Sequence, residues 1–246
     1  MQLQEILYTQ GFGTRRVCAG LIQQGFVAVR SHSSEGYIET TDSAQEVAEL
    51  DDLHIRVQGV EWPVRQKAYV LLNKPAGTEC SQKPSTYPSV YTLLPPPLRQ
   101  RPSKGAVDGV QAVGRLDQDT TGMLLLSDDG HFIHRMSSPK KHVSKVYQLT
   151  TKHAINEGQV ERLKAGVVLD DDPKPVRAAD CRQTGDHTMD LVLTEGKYHQ
   201  VKRMVAAVGN RVEALHRSQI GQFQLPDSLL PGHWCWLTDE DLALLK

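Results

Sequence analysis

Gly114-Arg115-Leu116-Asp117-Gln118-Asp119-Thr120-Thr121-Gly122 is the most informative stretch of this chain. The short apolar segments on either side of it predict a strand, a tight turn and a second strand. Because side chains alternate along a strand, Arg115 and Asp117 are expected to share one face. A carboxylate beside a cation suits a nucleophile next to a phosphate or a base. The alternative for this segment taken alone is a surface turn with a structural aspartate.

The composition predicts an ordinary globular protein. The chain has 246 residues, of which 39% are hydrophobic and 23% charged, as expected for one large or two small domains. No apolar run approaches the roughly 18 residues of a membrane span, and the start of the chain lacks a signal-peptide pattern. We therefore expect a cytoplasmic protein with no membrane partner. The four cysteines are far apart, which favours reduced thiols, and no metal-ligand spacing is found.

The first sixty residues are predicted to form a separate small module. Their pattern indicates the order helix, helix, strand, loop, strand, with Thr14 as N-cap of the second helix. Arg15 and Arg16 then lie at the positive end of that helix, where phosphates are favoured. Residues 61–66 are interpreted as a linker, and 67–246 as a second, larger domain. Within it, residues 80–110 are predicted to be mostly an ordered loop with one short helix.

Two further segments of the second domain carry polar groups at the ends of predicted elements. Lys145 and Tyr147 are two residues apart on a predicted strand, and so share a face. A strand ending at Glu195-Gly196 runs into a helix that carries Lys202 and Arg203 on its first turns. Each segment also has a simpler interpretation, with Tyr147 as a core tyrosine and with Lys202 and Arg203 as a solvated helix face. Asp119 and Thr120 are predicted to hold their turn through bonds from side chain to backbone.

Four motifs occur in a fixed order along the chain. They are Asn73-Lys74-Pro75-x-Gly77, the Gly114–Gly122 stretch, Lys145-x-Tyr147, and Glu195-Gly196-x-Tyr198-His199-Gln200-Val201-Lys202-Arg203-Met204. Together they resemble the RsuA family of pseudouridine synthases, and Leu215-His216-Arg217-x-x-Ile220-Gly221 fits the same family. The resemblance covers essentially the whole chain. It implies an α+β protein, in which a small RNA-binding module like a ribosomal small-subunit protein precedes a catalytic domain with a mixed, mainly antiparallel sheet.

The resemblance also implies a chemistry. Uracil is detached from its ribose, rotated and reattached through carbon 5, with no metal and no cofactor. Asp117 matches the family's nucleophile, and it would attack either the ribose or the base. Lys202 matches the basic residue that pairs with it, and Tyr147 the tyrosine that stacks on the base. Ile220 is a candidate for the apolar wall of the base pocket.

The implied partner is ribosomal RNA, with 16S RNA of the small subunit as the expected target and a monomer as the expected state. The uridine must be flipped out of the RNA. Arg115 is expected to fill the gap or hold the neighbouring phosphate. Further RNA contacts are predicted at Lys74, Arg203, Arg217, Arg15 and Arg16. His199 and Gln200 are left with either a direct or a supporting role. The module 1–60 holds four basic and eight acidic side chains, a net charge of −4, which is unusual for an RNA-binding module.

Three alternatives remain open on the sequence. The first is the same chemistry on large-subunit RNA. The second is a catalytically silent RNA-binding or ribosome-assembly factor, which would not need Asp117, Tyr147 and Lys202 together. The third is a hydrolase that uses Asp117 with Asp119, and it lacks an accompanying metal-ligand cluster.

Overall fold

The computed structural model describes residues 1–32, 34–103, 105 and 107–245. These residues form two compact units. One contains Met1–Ala68 and Leu94–Gln111, and the other contains Tyr69–Leu93 with the chain from Ala112 onward. None of the described helices has both the length and the apolar character needed to cross a bilayer.

The N-terminal unit has two helices at its start and a four-stranded antiparallel sheet. Its elements are α1 (Leu3–Gln10), α2 (Arg15–Gln23), β1 (Val27–Arg30), β2 (Ile38–Glu39), β3 (His54–Val57), β4 (Val60–Pro63) and, after residues of the other unit, α3 (Pro96–Gln100). The described strands follow the order β2-β1-β3-β4. The predicted Thr14 cap is confirmed, since its hydroxyl accepts a hydrogen bond from the Val17 N–H at 3.3 Å. Leu3, Ile6 and Leu7 of α1 are buried, as their helical spacing predicts.

Arg101 explains why residues 94–111 belong to the N-terminal unit. Its guanidinium is buried and donates to Gln10 Oε1 at 3.0 Å, to the Arg65 carbonyl at 2.8 Å and to the Gln66 carbonyl at 3.2 Å. A buried guanidinium is stable only with such partners. Gly11 also packs closely against residues 94–111, because a Cβ at this position would lie 2.1 Å from the Pro97 carbonyl oxygen.

The structure corrects the predicted domain boundaries in two respects. Residues 61–63 of the predicted linker belong to β4, which pairs with β3 from His54↔Pro63 to Val57↔Val60. Residues 94–111 pack with the N-terminal unit, although they were assigned to the second domain. The predicted loop 80–110 contains a 3₁₀ helix (Val90–Leu93) in addition to α3. These contacts join positions far apart in sequence, so local composition does not reveal them.

The second unit is built on a long sheet. Its elements are β5 (Tyr69–Lys74), β6 (Gln111–Ala112, at the sequence boundary), β7 (Thr121–Ser127), α4 (Gly130–Ser137), β8 (Lys145–Thr151), α5 (Glu157–Ala165), β9 (Val167–Leu169), β10 (Asp172–Val176), β11 (Asp180–Gly185), β12 (Thr188–Leu193), α6 (Gln200–Ala207), β13 (Val212–Ile220), β14 (Phe223–Gln224), β15 (Trp234–Trp236) and α7 (Asp239–Leu244). A short 3₁₀ helix (Pro139–Lys141) follows α4.

The main sheet has the strand order β11-β12-β8-β13-β7-β5-β15 within the described residues, with β14 beside β13. The pairs along this path are antiparallel except β13 with β7, which are parallel. The predicted α+β fold with a mixed, mainly antiparallel sheet is therefore confirmed. The sheet's apolar residues pack with α4 and α7 into a core that includes Leu71, Leu125, Phe132 and Leu245.

Gly122 is required where the parallel pair meets. Its φ is 100°, and a Cβ there would lie 2.4 Å from the Arg217 carbonyl oxygen. Because both features exclude larger residues, β7 and β13 approach closely only with glycine at this position. The loop 113–120 precedes this junction, so Asp117 is placed near the middle of the sheet.

Candidate active site

The loop that carries Asp117 is held from below by a buried lysine. Lys74 ends β5, is fully buried, and donates from Nζ to the carbonyls of Thr120 at 2.8 Å, Pro75 at 3.1 Å and Gln118 at 3.3 Å. The N–H of Gly77 donates to the Gln118 carbonyl at 2.8 Å. Burial lowers the pKa of Lys74. Three carbonyl acceptors compensate its ammonium group for lost water and fix the loop at 118–120.

Asp117 lies between two basic side chains from the start of α6. Its Oδ2 is 3.1 Å from Lys202 Nζ, and its Oδ1 is 3.3 Å from His199 Nε2. The Asp117 side chain remains 26% exposed, so a substrate can reach it. His199 has a left-handed backbone, with φ at 47°, immediately before α6. The prediction that Asp117 and Lys202 converge agrees with this geometry. Of the two roles left open for His199, the contact of its Nε2 with Asp117 favours the direct one.

Asp119 competes with Asp117 for the same lysine. Its Oδ1 is 2.6 Å from Lys202 Nζ, which is shorter than the distance from that nitrogen to Asp117. Burial favours a lower pKa for Lys202, but hydrogen bonds to Asp119 and Asp117 outweigh it and raise this pKa. Burial opposes ionisation of Asp119, and the bond from Lys202 outweighs it and lowers the pKa of Asp119. The site therefore holds two carboxylates around one ammonium group.

The structure corrects the interpretation of Asp119 and Thr120 as turn-holding side chains. Asp119 is directed to Lys202, and the buried Thr120 hydroxyl has no hydrogen-bond partner among the described residues. The turn is held instead by backbone bonds, such as Thr120 N–H to the Asp117 carbonyl at 3.1 Å, and by Lys74. Arg115 and Asp117 also lie in a loop rather than on a strand, so their shared location does not come from strand alternation.

Tyr147 lies in the same small cavity as Asp117. It is on β8, opposite Leu191 of β12 and Arg217 of β13, and its ring is largely buried. The cavity has a volume of about 90 Å³, and Asp117, Tyr147 and Lys202 all line it. The convergence predicted for these three side chains is therefore found in the structure. Leu215 and Leu193 supply its apolar wall.

The turn from β12 into α6 is fixed by Gln200. Its side chain is buried, accepts from the Lys197 N–H at 2.7 Å and donates to Glu195 Oε1 at 2.9 Å. These two bonds fix residues 195–200, and so set where His199 and Lys202 enter the cavity. Of the two roles left open for Gln200, these two bonds therefore favour the supporting one.

Two predicted RNA contacts are wrong because the residues are buried. Lys74 is inaccessible beneath the loop, as described above. Arg217 is 2% exposed, and its Nε donates to the Met123 carbonyl at 2.8 Å. Both cations bind backbone oxygens of the protein, which excludes contact with RNA phosphates in this fold. Burial and the charge of Arg217 also lower the pKa of Lys145 to about 8.

The other predicted RNA contacts are more accessible. Arg115 is exposed, lines the cavity and makes no ion pair or hydrogen bond with the described residues. Arg203 pairs with Asp171 and donates to the Tyr198 carbonyl at 3.2 Å. In the N-terminal unit, Arg15 pairs with Glu5 at 2.7 Å and lies over the Tyr8 ring. Arg16 is exposed at the start of α2.

Ile220 does not line the cavity with Tyr147, which corrects its assignment to the base pocket. It is 3% exposed and packs in the core with Leu71, Met123 and Leu125. The register of β13 against β8 shifts between Arg217 and Gln219, and this irregularity places Ile220 beside Lys145. Leu215, five residues earlier, takes the place at the cavity that was predicted for Ile220.

The sequence pattern missed the contact of Asp119 with Lys202 and left that of His199 undecided. The two partners of the first pair are 83 positions apart. The only available signal was the presence of two carboxylates in one loop and several basic residues at one helix start. Among the described residues, no group of three or more His, Cys, Asp and Glu side chains could hold a metal ion.

Comparison with known proteins identifies the family. A family model described as RNA pseudouridylate synthase matches residues 68–207. This chain belongs to that family. The prediction of a pseudouridine synthase, an enzyme that isomerises uridine in RNA, is thereby confirmed. The match covers the loop with Asp117, the β8 tyrosine and the start of α6.

Relatives extend the similarity over the full chain. A ribosomal small subunit pseudouridine synthase A from Pasteurella multocida is 34% identical over 99% of this chain and 98% of its own. An uncharacterised RNA pseudouridine synthase from Bacillus subtilis is 34% identical over 100% of this chain and 98% of its own. A crystal structure of a pseudouridylate synthase covers all of both chains, with a TM-score of 0.67 and 31% identity. Both units of the present chain are thus represented in these similar proteins.

Proposed function

We propose that this pseudouridine synthase modifies one uridine of small-subunit ribosomal RNA, with Asp117 as the nucleophile. The observation that carries the chemical part is the Asp117 carboxylate between Lys202 and His199, in the cavity that Tyr147 lines. The similarity to a named ribosomal small subunit pseudouridine synthase A, over nearly the full length of both chains, supports the substrate.

The proposed reaction breaks the bond between N1 of uracil and the ribose and forms a bond from C5 to the same ribose carbon. The C5 proton is then lost and N1 gains a proton, so the product is an isomer. Asp117 would attack either the ribose or the base, and the Lys202 ammonium group lies 3.1 Å from its carboxylate. No step of this scheme transfers electrons to or from another molecule.

The target uridine must be flipped out of the RNA to bring its base and ribose to Asp117. The cavity that Asp117 and Tyr147 line has a volume of about 90 Å³. Lys202 and His199 lie beside Asp117 in this cavity, and both come from the first turn of α6 or directly before it.

Tyr147 is proposed to support the uracil ring from the sheet side. Its ring lies on β8, and its hydroxyl makes no hydrogen bond with the described residues that would prevent contact with substrate. Tyr147→Phe keeps the ring and removes the hydroxyl. If the hydroxyl carries a proton, single-turnover rates fall by about tenfold or more. A rate unchanged from wild type would leave Tyr147 only the stacking role.

The chain is also proposed to act as a monomer, since Asp117, Tyr147 and Lys202 of a single chain line one cavity without a residue from a second copy. Its proposed location is the cytoplasm, as the sequence pattern leads us to expect. Light scattering of the purified protein at micromolar concentration is expected to give the mass of a single chain, 27.4 kDa. A stable dimer would contradict this part of the proposal.

Pseudouridine mapping of ribosomal RNA tests the substrate. RNA is compared from cells that lack the protein and from cells restored with wild type or with Asp117→Asn. We expect one pseudouridine of the small-subunit RNA to be lost and to return with wild type alone. A lost site in large-subunit RNA would replace the proposed substrate. Loss of no site would favour an RNA-binding assembly factor over an active synthase.

A further inference from the structure

A second cavity opens beside the one that holds Tyr147. Its volume is about 500 Å³, within the range of roughly 300–1,000 Å³ typical of ligand sites. The two cavities share Arg115, Asp117 and His199 in their walls. A ligand in the larger cavity would therefore lie next to a ligand in the smaller cavity.

An exposed aromatic pair forms one wall of this second cavity. The Tyr198 ring stacks on the His199 imidazole, with centroids 3.8 Å apart and planes 20° from parallel. Tyr198 is 71% exposed, which leaves its ring open to stack with a further planar group. Aromatic rings in such positions are how proteins hold the bases of single-stranded nucleic acids.

Arg115 is the candidate phosphate contact of the second cavity. Arg115 is exposed and makes no ion pair or hydrogen bond with the described residues. Burial raises the pKa of the Cys80 thiol, which keeps this wall residue neutral. The carboxylate of Glu79 accepts bonds from the backbone N–H groups of residues 85–87, at 2.9 to 3.0 Å, and these bonds lower its pKa to about 2. Its charge is thus already engaged by the loop.

We propose that the second cavity binds the RNA nucleotide next to the flipped uridine. Its base stacks on Tyr198, and the phosphate between the two nucleotides lies at Arg115, which belongs to both cavities. This inference rests on the proposed function, because it requires a uridine in the smaller cavity. Stacking accepts any base, so this subsite supplies affinity and placement rather than sequence selection.

The test removes the base and the aromatic ring separately and together. The RNA is a fragment around the mapped uridine, either intact or with an abasic ribose at one of the two neighbouring positions. Its dissociation constant is measured on Asp117→Asn protein, which prevents turnover, with and without Tyr198→Ala. Stacking on one aromatic side chain predicts a loss of about 5- to 100-fold on removal of either partner. At the neighbouring position whose base stacks on Tyr198, removal of both the base and the Tyr198 ring should weaken binding hardly more than removal of either one.

Two matched variants separate stacking from other effects. Tyr198→Phe keeps the ring and is expected to bind within about twofold of the parent protein. Tyr87→Ala makes the same deletion at an exposed tyrosine that lines neither cavity, and should leave binding unchanged. Losses that simply add at both neighbouring positions would overturn the subsite.

Conversion of the intact fragment by the protein with its native Asp117 is measured alongside binding. Conversion together with additive losses would overturn the second subsite and leave the proposed function standing. Absence of conversion would overturn the proposed function and the subsite together.

Discussion

Two groups of charged residues near the loop 113–120 have opposite uses. In the first group, Lys74 and Arg217 are buried and donate to backbone carbonyls, Lys74 to the loop and Arg217 to β7. At the cavity, Asp117, Lys202 and Arg115 are accessible. Both groups lie within the motifs that resemble the family, and each contains one lysine and one arginine. Burial, rather than residue type, separates the cations that hold the fold from those that are free to meet RNA.

The difference has a simple energetic origin. A buried ammonium or guanidinium group must replace its water with protein acceptors, and each such contact then fixes a piece of backbone. An accessible cation keeps its water until a phosphate replaces it, and its contribution to RNA binding depends on salt. Substitutions of the buried cations should therefore change stability, and substitutions of the accessible residues at the cavity should change catalysis or binding.

Asp117→Asn should have the largest effect on the cavity side. The amide cannot act as the nucleophile, so turnover of the target RNA should fall by more than about a thousandfold. Affinity for that RNA should stay within several-fold of wild type, because the accessible cations are unchanged. The measurement is single-turnover conversion with a parallel binding titration. Asp227→Asn, at an exposed aspartate that lines neither cavity, is the matched control and should be fully active. Substantial activity in Asp117→Asn would remove this residue as nucleophile.

Among the buried cations, Lys74→Met should have the largest effect on stability. It leaves three carbonyls without their donor, and we expect a loss of about 2–4 kcal/mol in the free energy of unfolding. Denaturant unfolding followed by tryptophan fluorescence measures this. Lys152→Met, at an exposed lysine of the same unit, should change stability by no more than about 0.5 kcal/mol. A stable Lys74→Met protein with a weaker salt dependence of RNA binding would contradict the buried, structural role.

Local features of the fold were predictable from the sequence. Thr14 caps its helix as expected, and Thr238 caps α7 in the same way, since a cap depends on residues three positions away. Gly166 ends α5 for a similarly local reason, and strand alternation correctly placed Lys145 and Tyr147 on one face of β8. Such signals lie within a few residues of the feature they determine.

Features that depend on distant contacts were not predictable from the pattern. The burial of Lys74 requires the loop at 118–120 to fold over it. Leu215 lines the cavity because β13 pairs it with Leu149, two residues from Tyr147 on β8. Ile220 instead pairs with Lys145 and packs in the core. The convergence of Asp117, Tyr147 and Lys202 was obtained from the family resemblance, because their spacing alone does not specify it.

Asp119→Asn tests how the cavity divides one lysine between two carboxylates. Asp119 is the nearer partner of Lys202, so its removal lets that ammonium group bind Asp117 more tightly and reduces the reactivity of the nucleophile. We expect kcat to fall by about tenfold with KM within about twofold, and Asp119→Glu to recover part of the loss. Steady-state kinetics on the target RNA would measure both constants. An unchanged kcat would mean that Lys202 needs only Asp117.

Arg115→Ala should have the smallest effect and is the most direct test of the cavity-side cations. Loss of one phosphate contact should weaken RNA binding several-fold and reduce the slope of log affinity against log salt by about 0.7–0.9. The free energy of unfolding should change by no more than about 0.5 kcal/mol, since the side chain is exposed and makes no ion pair with the described residues. Titrations at several salt concentrations measure the slope. Arg177→Ala removes the same charge from an exposed position that lines neither cavity, and its slope should match wild type. Equal slopes for both variants would mean that Arg115 acts only through the overall charge of the protein, and accessibility would then not be enough to identify an RNA contact.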